Sequence, residues 1–455
     1  MSHWTEKELA STQMDDERLR KRLKKLTETL SQSPKRSIPL SCPGWSDTVA
    51  AYRFLDNESV SLEKILSGHQ KSTLERMNNE KVVLVLQDTT FMSYQSEKQV
   101  RDYGTLKKIE SEHYLWHVGI AITPEKINLG VLHAKPWQRP EIPIAHLRNK
   151  KPIEDKESYR WLEGYEIACQ AQEAAKSSLI INIADREGDI HEWFALAASQ
   201  PIERRAEYMI RAKCNRRIEQ EDQDEYSYIW EELNNCVPFG SMQIQTPRRP
   251  NMPSRKATLA IKAKEITLVG RQGKTRKPLT LHAVYAKETH PPKGKKGIEW
   301  MLLTSLPVEN LNAAQTIIGW YGCRWEIELY FRVLKQECKV EELRLQTDQR
   351  LENAIAVYLI VAWRIHNITM ISREHGDESC EIIYEKKEWQ TIYMMHQKKK
   401  PPKEPPALQE MTRMLAQLGG FLARKHDGQP GAKTLWLGYQ KLIHYMDALE
   451  IVARV

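Results

Sequence analysis

The stretch Tyr321-Gly-Cys-Arg-Trp-Glu-Ile-Glu-Leu-Tyr-Phe-Arg-Val-Leu-Lys-Gln-Glu-Cys-Lys339 carries the residue types best suited to chemistry. It lacks proline, and its apolar residues recur at helical spacing, which predicts an α-helix. At about 100° per residue, Tyr321, Arg324, Glu328, Arg332, Lys335 and Lys339 share a sector about 80° wide. Ile327, Tyr330, Phe331 and Leu334 lie across the helix and can face a core. A row of cations with one embedded carboxylate suits a polyanion held beside a metal ion. Guanidinium and ammonium groups take phosphate oxygens, while carboxylates take hard cations. The competing reading is a solvated face with ordinary ion pairs. Glu326 falls well off the stripe, so Glu328 is the acid that belongs to it.

Two more acids stand at informative places. Lys81-Val-Val-Leu-Val-Leu-Gln-Asp88 and Leu179-Ile-Ile-Asn-Ile-Ala-Asp185 are short apolar runs that each end in an aspartate. Both predict buried strands that deliver the acid at the strand's carboxyl end, where open α/β sheets place their sites. Two such aspartates and a helical glutamate can hold two divalent cations, because Mg²⁺ accepts a few carboxylate oxygens and completes its shell with substrate phosphate. Two ions of this kind clamp the attacking and leaving oxygens of an in-line phosphoryl displacement. Either aspartate alone could instead cap a helix. Glu187 and Asp189 lie close to Asp185; Asp185 is preferred because it ends the apolar run.

The spacing Tyr321-x2-Arg324-x3-Glu328-x6-Lys335 resembles the Tyr-Arg-Glu-Lys signature of bacterial DDE transposases of insertion-sequence family four. Gln-Asp88-Thr-Thr-Phe-Met-Ser-Tyr94 and Ala-Asp185-Arg-Glu-Gly-Asp-Ile-His191 are similar to that family's first and second acid motifs. Ala51-Tyr-Arg-Phe, Glu299-Trp-Met-Leu-Leu-Thr304 and Leu418-Gly-Gly-Phe421 extend the likeness over most of the chain. The resemblance implies a ribonuclease-H-like catalytic core and cut-and-paste transposition through a hairpin intermediate. It implies that Asp88, Asp185 and Glu328 hold two Mg²⁺ or Mn²⁺ ions. It implies DNA contacts from Tyr321, Arg324, Arg332, Lys335, Arg211 and Lys213, and a base-stacking role for Trp300. Partners would be double-stranded transposon ends and target DNA, with a homodimer in the synaptic complex.

Composition is compatible with this expectation. The 455 residues are 41% hydrophobic and 28% charged, with a net charge of +8, a balance that excludes disorder and tolerates nucleic acid. Seven scattered cysteines without a Cys-x2-Cys pair argue against a zinc site or disulfide framework. No apolar run is expected to span a membrane, and the first residues lack the apolar core of a signal peptide, so a cytoplasmic, nucleoid-associated protein is expected. There is no Gly-x4-Gly-Lys-Ser/Thr loop, so no nucleotide cofactor is expected.

The elements that must position these residues fall into three regions, giving an α/β fold flanked by helical domains. Residues 1–70 predict a small helical domain. Leu19, Leu23, Leu26 and Leu30 mark its inner face, and Arg20, Lys21 and Lys24 belong to a cationic outer face able to hold DNA phosphates or merely to face solvent. Residues 71–369 predict the catalytic domain, with three strands, a helix over 159–175 and the Asp185 strand. A β-rich insertion over about 205–306 includes strands at 242–245, 257–263, 266–269, 279–286 and 299–304. Its basic groups are Arg211, Lys213, Arg216 and Arg217; Arg248, Arg249, Arg255 and Lys256; Arg271, Lys274, Arg276 and Lys277; and Lys293, Lys295 and Lys296. They suit a grip on DNA backbone or simple solubilisation. Residues 370–455 predict a helical dimerisation region split by the proline-rich Lys398–Pro406. There Leu435, Tyr439, Leu442, Met446 and Leu449 repeat at 4-3 spacing, for a partner or for the chain's own core. Two other functions fit less well: a nuclease that cuts without joining, and a DNA-binding regulator without chemistry.

Overall fold

The computed structural model describes residues 3–94, 100–102, 105–107, 112–137, 152–219, 226–246, 254–269 and 278–454. Arg248, Arg249, Arg271, Lys274, Arg276 and Lys277 lie outside the described residues. The chain begins with α1 (His3–Glu8), α2 (Glu17–Gln32), α3 (Ile38–Ser41), α4 (Trp45–Leu55) and α5 (Leu62–Met77). Strands β1 (Val82–Tyr94), β2 (Val100–Asp102), β3 (Thr105–Lys107), β4 (Glu112–Ile122) and β5 (Asn128–Trp137) follow. Next come α6 (Tyr159–Ala174), β6 (Leu179–Ala184), α7 (His191–Ser199), β7 (Glu207–Arg211), β8 (Arg217–Glu219), β9 (Tyr226–Tyr228) and α8 (Ile229–Asn235). Then β10 (Gly240–Thr246), β11 (Arg255–Leu268), β12 (Leu279–Glu288) and β13 (Glu299–Thr304) lead into α9 (Leu311–Gly322) and α10 (Glu326–Arg332). The chain ends with α11 (Asp348–Glu374), α12 (Lys386–Gln397), α13 (Leu408–Leu418) and α14 (Ala432–Arg454).

Two compact units result. One comprises Met1–Arg76, Thr89–Gln138 and Glu328–Val455, the other Met77–Asp88 and Arg139–Ile327. In the first, α11 is the core axis: every residue from Ala354 to Ala362 is fully buried, and α2, α4, α13, α14 and β5 pack on it. Contrary to the sequence expectation, this helix is long and apolar enough to cross a membrane by length and composition. Its apolar surface is covered by the unit's own elements, which is what a central core helix requires. Leu23, Leu26 and Leu30 of α2 are buried, as their spacing predicts, and Asp16 caps that helix by accepting from the Arg18 N–H at 2.8 Å.

The first half of the 4-3 repeat on α14 faces its own chain. Leu435, Tyr439 and Leu442 are buried, Trp436 stacks on Tyr439, and the Tyr439 hydroxyl donates to Glu388 Oε1 of α12 at 3.1 Å. The helix crosses α13 so closely that a Cβ on Gly438 would lie 1.9 Å from the Leu415 carbonyl oxygen. Among the described residues, the far end carries exposed apolar side chains, Leu449 at 50% and Val452 at 73%.

In the second unit the strand order is β1-β6-β7-β13-β12-β11-β8-β9, with β10 on β11. β1 and β6 pair in parallel, as do β6 and β7; such strands are apolar on both faces, as the runs before Asp88 and Asp185 are. The two strands expected at 257–263 and 266–269 are one, β11: Lys264 and Glu265 stay in the ladder opposite Ala283 and His282, and the buried face of the strand changes there. β7, counted in the insertion from sequence, pairs with the core strand β6, and β13 returns antiparallel to β7. The inserted strands therefore extend the same sheet that carries the aspartates.

Candidate active site

The parallel register of β1 and β6 runs from Val82↔Leu179 to Leu86↔Ile183 without a shift. Continued two residues, it brings Asp88 level with Asp185, and the strand period of two turns both side chains to one face. Beneath them Gln87 and Asn182 are buried; the Gln87 amide donates to Asn182 Oδ1 at 2.7 Å, and Asn182 donates to the Val85 carbonyl. Gly164 of α6 makes room for this pair, since a Cβ there would sit 2.2 Å from Gln87 Oε1. Asp185 directly follows its strand and accepts the Glu187 N–H at 2.7 Å. Asp88, expected at a strand end, stands mid-strand: β1 runs on to Tyr94, and what ends near Asp88 is the parallel pairing.

One guanidinium meets Asp88 and others lie nearby. Arg324 Nη1 lies 3.4 Å from Asp88 Oδ2, both side chains largely buried. Arg211 of β7 donates to the Glu299 carbonyl at 2.9 Å. Burial lowers the pKa of Arg211, and Arg186 and Arg324 push in the same direction, while Tyr321 opposes them through charge and a hydrogen bond. Tyr321 is buried, which raises its phenol pKa against the pull of Arg324 and Arg211. The Trp300 ring meets Tyr321 edge-on at 5.3 Å. The second unit thus gathers two aspartates, three arginines, a phenol and an indole. Arg186 is exposed, whereas Arg211 and Arg324 are partly dehydrated, and repulsion between two such guanidinium groups is relieved by an anion. Sequence pattern alone gives Arg186 no role; its place next to Asp185 is the available signal.

The stripe from Tyr321 to Lys339 is not one α-helix. Tyr321 ends α9, Cys323–Trp325 form a 3-10 turn, α10 follows, and Val333–Glu337 is a π-helix. Lys339 closes the run in the left-handed conformation. Changes of helical pitch break the single-face arithmetic, and Tyr321 is core where the stripe was expected to be exposed. The apolar side is as expected: Ile327, Tyr330, Phe331 and Leu334 are buried, and the Tyr330 hydroxyl donates to the Leu359 carbonyl. Glu328, in the first unit, is half-buried on α10 and Arg332 is exposed, while Glu326, in the second unit, is buried. Lys335 reaches the Phe91 carbonyl and lies 3.6 Å from Glu341, which accepts the Ser93 N–H at 3.1 Å.

The remaining expected residues divide between exposed and committed. Lys213, Lys293, Lys295 and Lys296 are exposed. Arg216 and Arg255, which suit a grip on DNA backbone or simple solubilisation in sequence, instead pair with the buried carboxylates of Asp189 and Glu288. The cationic face of α2 is interleaved with acids: Lys24 bonds Glu6 at 2.5 Å, Arg20 bonds Glu17, and Arg22 and Lys25 meet Asp47. Lys21 is exposed. Trp300 is half-buried, whereas Leu302 on the same strand face is fully buried, so that face becomes core within two residues. Among the described residues no group of three or more histidine, cysteine, aspartate or glutamate side chains is gathered closely enough to hold a metal ion.

Three family models match the chain: transposase DNA-binding over residues 1–60, transposase DDE domain over 194–364, and transposase Tn5 dimerisation domain over 360–454. The DDE match includes Tyr321, Arg324, Glu328 and Lys335 and begins after both aspartate motifs. Among solved structures, a cryo-EM structure of a piggyBac transposase synaptic complex with hairpin DNA is similar at 11% identity and a TM-score of 0.32. The match covers 69% of this chain and 52% of that one.

Proposed function

We propose that this chain, which matches models of a transposase DNA-binding domain, a transposase DDE domain and the transposase Tn5 dimerisation domain, is a DDE transposase that cuts and rejoins DNA at transposon ends. The observation that carries the reading is the level pair Asp88 and Asp185 inside a cluster of Arg186, Arg211 and Arg324. The Tyr-Arg-Glu-Lys spacing supports placing it in insertion-sequence family four. The strand order β5-β4-β1 in one unit and β1-β6-β7 in the other supports a ribonuclease-H-like core.

Two carboxylates in register fit Mg²⁺ or Mn²⁺, which use one or two acids together with phosphate oxygens; Glu328, four residues after Arg324 in the chain, is the third ligand in this reading. Two such ions would activate water or a 3′-hydroxyl and steady the leaving oxygen. The chain's own residues bind and orient. Arg211 and Arg324 take non-bridging phosphate oxygens as forks. Arg324 leaves Asp88 as the phosphate arrives, which frees that carboxylate. The Tyr321 hydroxyl, kept neutral by burial, donates to the same phosphate. Hydrolysis frees a 3′-hydroxyl at the transposon end. Attack of that hydroxyl on the opposite strand breaks a second phosphodiester and leaves a hairpin, which water reopens before joining to target.

Purified protein incubated with end-bearing DNA, Mg²⁺ and a target plasmid tests the reading. Cut ends and joined products are expected. Cutting without joining would make it a nuclease, and binding alone a regulator.

Trp300→Ala should still nick ends but accumulate nicked DNA with little hairpin, resolved on denaturing gels. The hairpin bend favours an extruded base, and stacking on an aromatic returns about 1–3 kcal/mol. Hairpins at the parent rate would reduce Trp300 to packing against Tyr321.

Charge removal at Arg20, Lys21 and Lys24 should weaken end binding and flatten its salt dependence by about one unit of slope per lost phosphate contact. The solvent-exposed ion pairs to Glu6 and Glu17 contribute little and yield readily to phosphate. An unchanged slope would leave these cations facing solvent.

Leu449→Asp with Val452→Asp should abolish paired-end complexes in gel shifts and leave single-end complexes. These side chains are the uncovered end of α14, and charges there do not disturb Leu435, Tyr439 or Leu442. Persistence of paired ends would place the dimer contact elsewhere.

A further inference from the structure

We propose that Asp189 is a positioning residue: it fixes the loop that presents Lys213 to the DNA backbone, and so ties that grip to the acid four residues before it. The inference rests on the transposase reading above. The Asp189 side chain is fully buried. Its Oδ2 accepts the backbone N–H groups of Lys213 at 2.7 Å and Cys214 at 2.8 Å. Its Oδ1 accepts Nε and Nη2 of Arg216 at 2.8 and 2.5 Å, and Nη2 also bonds the Asp189 carbonyl at 2.8 Å. Arg216 lies 5.3 Å over the Phe194 ring, which holds the fork from the other side.

One carboxylate therefore collects two main-chain and two guanidinium donors from a single loop. That loop leaves β7 right after Arg211, a member of the arginine cluster, and Lys213 points outward from it. A buried ion pair adds little stability over apolar packing, and its attested use is to fix one arrangement among several. Here the arrangement fixed is the direction of Lys213 relative to Asp185. Asparagine cannot reproduce it, because its amide NH₂ would face a donor on one side or the other.

The test is a double-mutant cycle in the full chain, read as the salt slope of binding to a blunt mixed-sequence duplex. Lys213→Ala should lower the slope by about one in the parent and by nothing in Asp189→Asn. Asp189→Asn should also slow single-turnover end cleavage about 10- to 100-fold at saturating DNA, the scale of a misplaced group. Arg216→Lys, which keeps the charge and loses the fork, should behave the same way and serves if Asp189→Asn does not fold. A full Lys213→Ala effect in either folded background overturns the proposal, as does no Lys213→Ala effect in the parent. A parent that binds duplex but neither cuts nor joins ends would instead overturn the transposase reading.

Discussion

Glu328→Gln should abolish strand cleavage, by at least about 10³-fold, while binding to transposon ends survives. The substitution keeps shape and hydrogen-bonding capacity and removes only the negative charge that a divalent cation needs. Glu326→Gln is the control. Its side chain is buried on the same short helix, two residues away, so it changes the chain nearby without touching the proposed ligand set, and measurable cleavage should remain. The measurement is single-turnover cleavage of an end-bearing duplex beside a binding isotherm on the same DNA. Loss of cleavage in the Glu326 variant with retention in the Glu328 variant would reverse the assignment. Asp88→Asn and Asp185→Asn should match Glu328→Gln, because ligands acting as one unit fail together.

Glu8→Ala should cost about 3–5 kcal/mol of stability, the scale for removing one partner of a buried ion pair. Glu8 is buried, and Arg76 holds it with two bonds of 2.8 and 2.9 Å. His69, fully buried, sits 2.5 Å from the same carboxylate. Because the Val131 N–H donates to His69 Nε2 at 2.9 Å, that nitrogen carries no proton. The ring is neutral, in keeping with its burial, and Nδ1–H is the donor to Glu8. Arg76 also stacks over Trp363 at 4.4 Å, so the cluster fastens α1 to α5 and α11. Burial alone would raise the Glu8 pKa; the hydrogen bonds from His69 and Arg76 and the charge of Arg76 override it and hold the carboxyl below an ordinary 4.5.

The sign follows. A carboxyl depressed in the folded state contributes stability above about pH 4.5 and loses it as pH falls through its lowered folded value. Urea titrations of the parent and Glu8→Gln over that window should converge at its acid end. Parallel curves would mean that the cluster is not what holds α1.

Much of this protein follows from sequence alone. The apolar runs before Asp88 and Asp185 predict parallel buried strands because only a strand covered on both faces tolerates unbroken apolar residues. The same offset from the two runs then brings both acids level. The leucines of α2, the helix at 159–174 and the strand at Glu299–Thr304 were legible because one period dominates each segment. The proposed acid chemistry rests on residue type, because few residue types can serve it.

Tertiary structure decided what local pattern cannot encode. No periodicity announces the switch from α9 through a 3-10 turn and α10 to a π-helix, since pitch there is set by what packs beneath. β1 passes through Asp88 because later residues find new neighbours, a long-range matter. Arg216 and Arg255 look like the other loop cations in sequence. Only the buried carboxylates of Asp189 and Glu288 distinguish them, by making pairing inside the chain outweigh exposure to DNA. Leu435, Tyr439 and Leu442 share one spacing with Leu449, yet the first three meet their own chain and the last meets water. Spacing fixes which residues share a face; what covers that face depends on where distant segments come to lie.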